Sequence, residues 1–149
     1  MLTLEEISDR LEIQELLIRY SQAVDSHDWD AFEQVFTDDA VIDYTEMGGP
    51  RGNVKETRAF LESVMPTFST HQHMLGNTVI EFEGDQARAR TICHNPMVLD
   101  REGQPHLFVC GLWYRDLLVR TADGWRIKDR YEERSYIDNL PPGLPGGAS

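Results

Sequence analysis

The N-terminal stretch LEEISDRLEIQELLIRYSQAVDSHDWDAFEQVFTDDAVIDYT, residues 4–45, decides the fold. Over residues 4–25, large apolar side chains recur every three or four positions, which predicts one long amphipathic helix. Thr3 and Glu6 have the spacing of a capping box at the start of this helix. Asp28 follows the helix and is expected to cap a short second one.

The rest of the chain changes from helical to strand patterning. Asn53 and Glu56 form a second capping pattern, which predicts a third helix that ends near Pro66. The predicted strands are 40–45, 72–83, 86–99, 106–121 and 125–137. Short Gly/Asp turns join the last four, which predicts an antiparallel meander and an α+β fold. The simplest way to bury these elements is a cone, in which the sheet curves around the first helix and leaves a cavity at the wide end.

Length and charge limit the classes of function. The chain has 149 residues, and we expect one domain over residues 1–140 followed by a Pro/Gly-rich tail at 141–149. The net charge of −12 counts against nucleic acid and anionic membranes as partners. Cys93 and Cys110 lack CxxC spacing and the N-terminus does not resemble a signal peptide, so we expect a cytoplasmic protein with reduced thiols.

Asp25 is a candidate base because it stands where the first helix ends. A carboxylate there faces the partial negative charge of the helix C-terminus, which disfavours it by about 0.3–1 kcal/mol. If the side chain is also partly buried, its pKa is expected to be raised. The alternative is that Asp25 begins the turn that ends the helix, as aspartate often does.

His71 and His73 form an HxH pair that has three interpretations. They are two metal ligands, or one is a general acid or base, or both are polar residues at a strand edge. His106 is a possible third ligand, but the first acid downstream is Glu81, which is too far along the chain for a known metal pattern. We therefore expect no metal.

Four further residues carry polar groups in apolar surroundings. Tyr20 and Tyr44 are candidate hydrogen-bond donors to a substrate oxygen, although Tyr20 also fits the buried stripe of the helix. His94 lies within a predicted strand, where a buried histidine with a satisfied partner is the simpler interpretation. Arg130 lies in the last strand, where an ion-paired arginine on a sheet face is the simpler interpretation.

Several segments together resemble the SnoaL-like branch of the nuclear-transport-factor-2-like superfamily. They are IQEL at 13–16, Tyr20, Asp25, WDAF at 29–32, FTDDA at 36–40 and DGWRI at 123–127. The resemblance covers about residues 5–138. It implies an α+β cone and a homodimer or homotrimer, and it is more specific for fold than for function.

The resemblance also implies roles for the candidate residues. Asp25 and His73 match the aspartate–histidine pair of the lindane dehydrochlorinases, and Arg130 falls near the cavity arginine of that family. Tyr20, Asp25, Tyr44 and His73 match the site of the bile acid 7α-dehydratases in order and spacing, and scytalone dehydratases give His94 a role. The dehydrochlorinases have a lysine in place of Tyr20, which counts against that reaction.

The function that this resemblance implies is a lyase of the dehydratase type, or an isomerase, that works without a cofactor. The substrate would be a hydrophobic ring compound, such as a steroid or a polyketide-like molecule. His73 would be the base, Asp25 would orient it, and His94 and Arg130 would contact the substrate. Two alternatives remain: an isomerase similar to the ketosteroid isomerases with Asp43 as base, and a non-catalytic protein. The non-catalytic protein would bind a small ligand or act as a dioxygenase β-subunit.

Overall fold

The computed structural model describes residues 1–145 and shows three helices packed against one curved sheet. The helices are α1 (Leu4–Ser26), α2 (Trp29–Gln34) and α3 (Val54–Val64), with 3-10 turns at Thr45–Met47 and Met65–Thr67. The strands are β1 (Phe36–Asp43), β2 (Arg51–Gly52), β3 (Phe68–His71), β4 (Met74–Glu83), β5 (Gln86–Arg101), β6 (Gln104–Thr121) and β7 (Gly124–Asp138). The sheet order is β2-β1-β7-β6-β5-β3, and β4 also pairs with β5. The α+β cone predicted from the sequence is confirmed.

The long first helix forms as its sequence predicts. The Thr3 hydroxyl accepts from the Glu6 backbone N–H at 3.1 Å, and the Glu6 carboxylate accepts from the Thr3 N–H at 2.7 Å. The helix ends at His27, whose φ of 58° is left-handed and whose N–H bonds back to carbonyls of the last turn. One face is buried in the core through Ile13, Leu16, Leu17, Tyr20 and Val24. Each such side chain contributes about 1.5–3 kcal/mol to folding.

Asp9 connects this helix to the far end of the chain. Its carboxylate accepts two hydrogen bonds from the Arg120 guanidinium, at 2.8 and 2.7 Å, and one from the indole of Trp125 at 3.0 Å. These contacts fix the rotation of α1 against β6 and β7, and Asp25 lies about 24 Å further along the same helix.

The antiparallel meander of β4 to β7 is confirmed, but two strands differ from prediction. β1 begins at Phe36 rather than at residue 40. Exposed polar residues lie between Phe36 and the buried Ala40 and Ile42, and they concealed this start in the sequence. It lies parallel to β7, with Ile42 opposite Arg130. The strand predicted from Gln72 is interrupted: β3 ends at His71 and β4 begins at Met74, so Gln72 and His73 lie between two strands.

The C-terminal segment folds back over the wide end of the cone. Leu140, Leu144 and Pro145 line the cavity there. Gly48, with a φ of 87°, lies so close that an added Cβ would come within 2.6 Å of the Pro145 Cβ. Of the predicted tail at 141–149, residues 146–149 lie outside the described part of the chain. No helix within residues 1–145 is long and apolar enough to cross a membrane.

Candidate active site

The wide end of the cone encloses an apolar cavity with a few polar groups. Its volume is about 140 Å³. Aromatic, methionine and aliphatic side chains from α3, β5, β6 and the C-terminal segment form most of the wall. The ionisable or amide side chains at its surface are Tyr44, His73, Asn95, Cys110 and Glu132. Such a cavity suits an apolar ligand whose orientation is set by a few polar contacts.

Asp25 and His73 form a tight pair at the edge of this cavity. Asp25 Oδ1 lies 2.6 Å from His73 Nδ1, and Asp25 Oδ2 accepts the backbone N–H of His73 at 2.9 Å. The His73 side chain is only 10% exposed, and the Asp25 side chain is 26% exposed. The last turn of α1 supplies the aspartate, and the break between β3 and β4 supplies the histidine.

His71 extends this pair toward the surface. Its Nδ1 lies 3.2 Å from Asp25 Oδ1, and its Nε2 lies 3.1 Å from Nε2 of the exposed His27. The rings of His27 and His71 stack with an interplanar angle of 11°. Burial lowers the pKa of His71, more than the Asp25 carboxylate raises it, so the ring is neutral near pH 7. A hydrogen-bonded row therefore leads from the cavity to solvent.

The pKa of Asp25 is lowered, so the expectation of a raised value is wrong. Burial acts to raise the pKa, but the hydrogen bonds from the ring and backbone of His73, with a further one from His71, outweigh it. The carboxylate is therefore ionised at neutral pH. An ionised carboxylate in these contacts can orient the His73 ring as a hydrogen-bond acceptor.

Tyr44 lies at the cavity surface, and Tyr20 lies behind it. Their hydroxyl groups hydrogen-bond to each other. Tyr20 does not line the cavity; its ring is enclosed by Phe32 and Tyr114. Burial raises the pKa of Tyr20 to about 12 and that of Tyr44 well above its usual value. Both phenols are therefore neutral donors, and Tyr44 is the one that a ligand can reach.

Arg130 packs against the rings of Tyr20 and Tyr114 and does not reach the cavity surface. Its guanidinium makes two 2.7 Å hydrogen bonds to the Asp116 carboxylate, and both side chains are fully buried. It lies 4.0 Å over the ring of Tyr20 and 4.1 Å over that of Tyr114. The expected contact with substrate is not what the structure shows, because the bidentate pair places the guanidinium inside the core.

His94 and Asp43 also lie away from the cavity. His94 lies on the opposite face of β5 from its buried neighbours Cys93 and Asn95, and its Nδ1 is 3.2 Å from the Tyr136 hydroxyl. Strand alternation therefore separates it from the other candidates. The Asp43 carboxylate accepts from the backbone N–H and hydroxyl of Thr45, at 3.0 and 2.6 Å, and does not line the cavity.

Glu132 is the cavity residue that the sequence analysis missed. It is 9% exposed, and burial raises its pKa to about 8, with Arg130 opposing that effect in part. The register of β6 and β7 shifts between Leu117 and Leu118, and this irregularity turns Arg130 and Glu132 inward, out of step with Trp125 and Ile127. The only sequence signal was its spacing of two from Arg130, which puts both on one face of a strand.

Asp25, His71 and His73 also form a group of possible metal ligands. Their ligand atoms lie within 4.8 Å of one another. His106, the proposed third histidine ligand, is elsewhere and bonds to the Asn139 carbonyl at 2.8 Å. Bonds of about 2.0–2.2 Å to a tetrahedral metal would hold two ligand atoms more than 3 Å apart. The 2.6 Å contact between Asp25 and His73 is instead a direct hydrogen bond.

Curated proteins include relatives that span nearly the whole chain. An uncharacterised protein of Mycobacterium tuberculosis strain H37Rv is 48% identical over 136 residues, which is 91% of this chain and 92% of the relative.

Solved structures share the fold. A protein provisionally named as an aromatic ring hydroxylase of Novosphingobium aromaticivorans is 30% identical, with a TM-score of 0.81 over 90% of this chain and 94% of that one. A provisionally named scytalone dehydratase of the same species has a TM-score of 0.81 at 18% identity, over 96% and 97%. A hexachlorocyclohexane dehydrochlorinase also has a TM-score of 0.81, at 19% identity, over 95% and 99%.

A family model matches most of the chain. Residues 5–131 match the SnoaL-like domain, a range that contains the long helix, both histidines of the HxH pair and most of the sheet. The resemblance drawn from the N-terminal motifs is thereby confirmed. This chain belongs to the SnoaL-like domain family.

Proposed function

We propose that the protein is a cofactor-independent lyase of the dehydratase type, or an isomerase, that removes a proton from carbon in a hydrophobic ring compound. The observation that carries this proposal is the 2.6 Å contact between Asp25 Oδ1 and His73 Nδ1 at the edge of an apolar cavity. An oriented imidazole beside an apolar binding space is suited to general base catalysis.

The pairing with Asp25 defines what His73 can do. An ionised Asp25 accepts the Nδ1–H of the ring, which leaves Nε2 with its lone pair available for a substrate proton. When Nε2 takes that proton, the ring becomes an imidazolium, and the adjacent carboxylate stabilises the positive charge. The second hydrogen bond, from the His73 backbone N–H to Asp25, fixes where the ring stands.

Tyr44 would supply the electrophilic contact. Proton removal from carbon develops negative charge on a neighbouring oxygen, and a positioned neutral donor stabilises it. If Tyr20 donates to the Tyr44 oxygen, the Tyr44 hydroxyl hydrogen is left for the ligand. Arg130 beneath the Tyr20 ring favours this polarisation through its positive charge.

Two of the solved structures that share the fold carry names of lyases, which supports the lyase class. A provisionally named dehydratase and a dehydrochlorinase share the fold, and both names describe eliminations from ring compounds. The dehydrochlorinases that the sequence resembles have a lysine at the position of Tyr20. We therefore favour loss of water over loss of chloride. We also propose that the protein forms a homodimer or homotrimer in the cytoplasm, and light scattering of the purified chain would test the assembly.

The test is a screen with a matched histidine control. Ring alcohols, including steroids and hydroaromatic alcohols, are incubated with the protein, and loss of water is followed by mass spectrometry. His73→Ala is expected to abolish turnover with little change in melting temperature. His94→Ala removes a histidine outside the cavity and is expected to retain activity. Full activity in His73→Ala would refute the proposal, and binding of ring compounds without any turnover would favour the non-catalytic alternative.

A further inference from the structure

Glu132 is a buried carboxyl group for which the fold gives no structural reason. It is more than nine-tenths buried and lines the apolar cavity. Among residues 1–145, no hydrogen bond is made to its carboxyl oxygens, although the other buried carboxylates, Asp9 and Asp116, each accept several. A carboxyl group that lines the cavity without a hydrogen-bond partner is free to bind a polar atom of a ligand there.

Burial raises the pKa of Glu132 and keeps the carboxyl group neutral near pH 7. Within residues 1–145, the cation that lowers its pKa is Arg130, two residues earlier on β7, and that guanidinium is already paired with Asp116 on β6. Asp116 and Asp43, on β6 and β1, oppose ionisation of Glu132 further. A protonated carboxyl group has an O–H to donate, and the cavity is the space into which it can donate.

We propose that Glu132 is the oxygen-binding acid of the cavity, so that the ligand is a neutral ring compound with a carbonyl or hydroxyl oxygen held by the Glu132 O–H. This inference rests on the proposed function, since it places an acid in the same cavity as the base His73. It also defines a selectivity: neutral oxygen compounds are accepted, whereas carboxylate and phosphate compounds are rejected by the buried acid and the apolar wall.

For a ring alcohol, the two groups complete an elimination. His73 Nε2 takes the proton from carbon, and the C–H electron pair becomes the new C=C bond. The C–O bond to the adjacent carbon breaks, and the Glu132 proton goes to the departing oxygen, which leaves as water. The protein then holds an imidazolium and a carboxylate, and transfer of one proton from His73 to Glu132 through water restores the starting state. Two titratable groups with opposite protonation in one cavity are the usual arrangement for this chemistry.

The first experiment measures binding and needs no turnover. The probe is 1-tetralone, a two-ring ketone, labelled with carbon-13 at the carbonyl, and its hydrocarbon analogue tetralin is the matched control ligand. Glu132→Leu removes the donor and is expected to weaken tetralone binding about tenfold while leaving tetralin binding equal or stronger. The carbonyl resonance is expected to move on binding to the wild type and not on binding to Glu132→Leu.

Glu132→Gln provides the second variant, because an amide donates a hydrogen bond but transfers no proton. We expect it to bind tetralone within about threefold of the wild type and to lose the dependence of binding on pH near 8. Equal tetralone binding by the wild type and Glu132→Leu would overturn the inference, and so would failure of the wild type to bind tetralone. Neither result bears on His73, whose role is tested separately by the ring-alcohol screen with His73→Ala.

Discussion

The Asp25 carboxylate holds His73 by both its ring and its backbone, with 2.6 Å from Oδ1 to Nδ1 and 2.9 Å from Oδ2 to the backbone nitrogen. One side chain at the end of α1 thus sets the tautomer of the histidine and also the position of the chain between β3 and β4. This contact joins the end of α1 to the break between β3 and β4, and it makes one rigid unit of two segments whose residues are 48 positions apart. Preorganisation of this kind is what a general base requires.

Asp25→Asn is expected to reduce kcat by about 10³- to 10⁴-fold, because an amide at this position holds the wrong tautomer of the histidine. The fold is expected to persist, since the amide oxygen still accepts one hydrogen bond. Asp28→Asn is the matched control, because asparagine caps α2 as well as aspartate does. The measurement is kcat beside the melting temperature. A variant at position 25 with wild-type kcat would show that the pair is structural only.

Glu132 is expected to make the protein less stable as pH rises. Its pKa is raised from 4.5 in the unfolded chain to about 8 when folded, so below pH 4.5 both states are protonated and the penalty is absent. Between these values the folded state holds a proton that the unfolded state has released. The free energy of unfolding therefore falls over this range, by a few kcal/mol at most, and levels off above pH 8.

Urea unfolding of Glu132→Gln against pH checks this assignment. The variant is expected to lack the fall in stability between pH 4.5 and 8 that the wild type shows. Glu62→Gln, at an exposed position on α3, is a suitable control and is expected to follow the wild type in that range. Parallel curves for Glu132→Gln and the wild type would contradict a raised pKa.

Removal of one partner of the buried Arg130–Asp116 pair is expected to lower the free energy of unfolding strongly. Replacement of both partners by apolar residues is expected to lower it much less. Arg130→Met leaves the Asp116 carboxylate buried without its partner, at a cost of about 3–5 kcal/mol in the free energy of unfolding. The double variant Arg130→Met/Asp116→Leu is expected to regain most of that loss. Arg88→Met, at an exposed position, is expected to change stability by less than about 0.5 kcal/mol. If Arg130→Met unfolds at the same urea concentration as the wild type, the pair does not hold the sheet.

Metal ions are expected to inhibit the proposed reaction and not to activate it. Chelation with EDTA is expected to leave the rate unchanged, because Asp25 and His73 are joined directly by a hydrogen bond. Added Zn²⁺ is expected to slow the reaction by competing for Asp25, His71 and His73, whose ligand atoms already converge. The measurement is the rate after dialysis against EDTA and after titration with Zn²⁺. If activity is lost on dialysis and restored by a metal, the site is a metal centre and not a hydrogen-bonded pair.

Local features were predictable from the sequence, and features set by long-range register were not. The 4–25 helix and both capping boxes follow from spacing alone, and the structure places the helix at Leu4–Ser26. Both His71 and His73 contact Asp25, although the chain between them leaves the sheet and only His71 lies in a strand. Glu132 escaped prediction because an irregularity in the pairing of β6 and β7 turns it inward, and pairing irregularities leave little trace in a sequence.

The parallel pairing of β1 with β7 has a consequence for how the chain is made. Phe36 must find Ile127, and Asp9 must find Arg120 and Trp125, which follow it by 111 and 116 residues. During synthesis on the ribosome, the part of the N-terminal helix that packs against β7 therefore stays uncovered until the last strand is translated. Such non-local closure is slow, and the unfinished chain exposes hydrophobic surface to aggregation. This nascent chain is therefore expected to be most prone to aggregation before its last strand is in place.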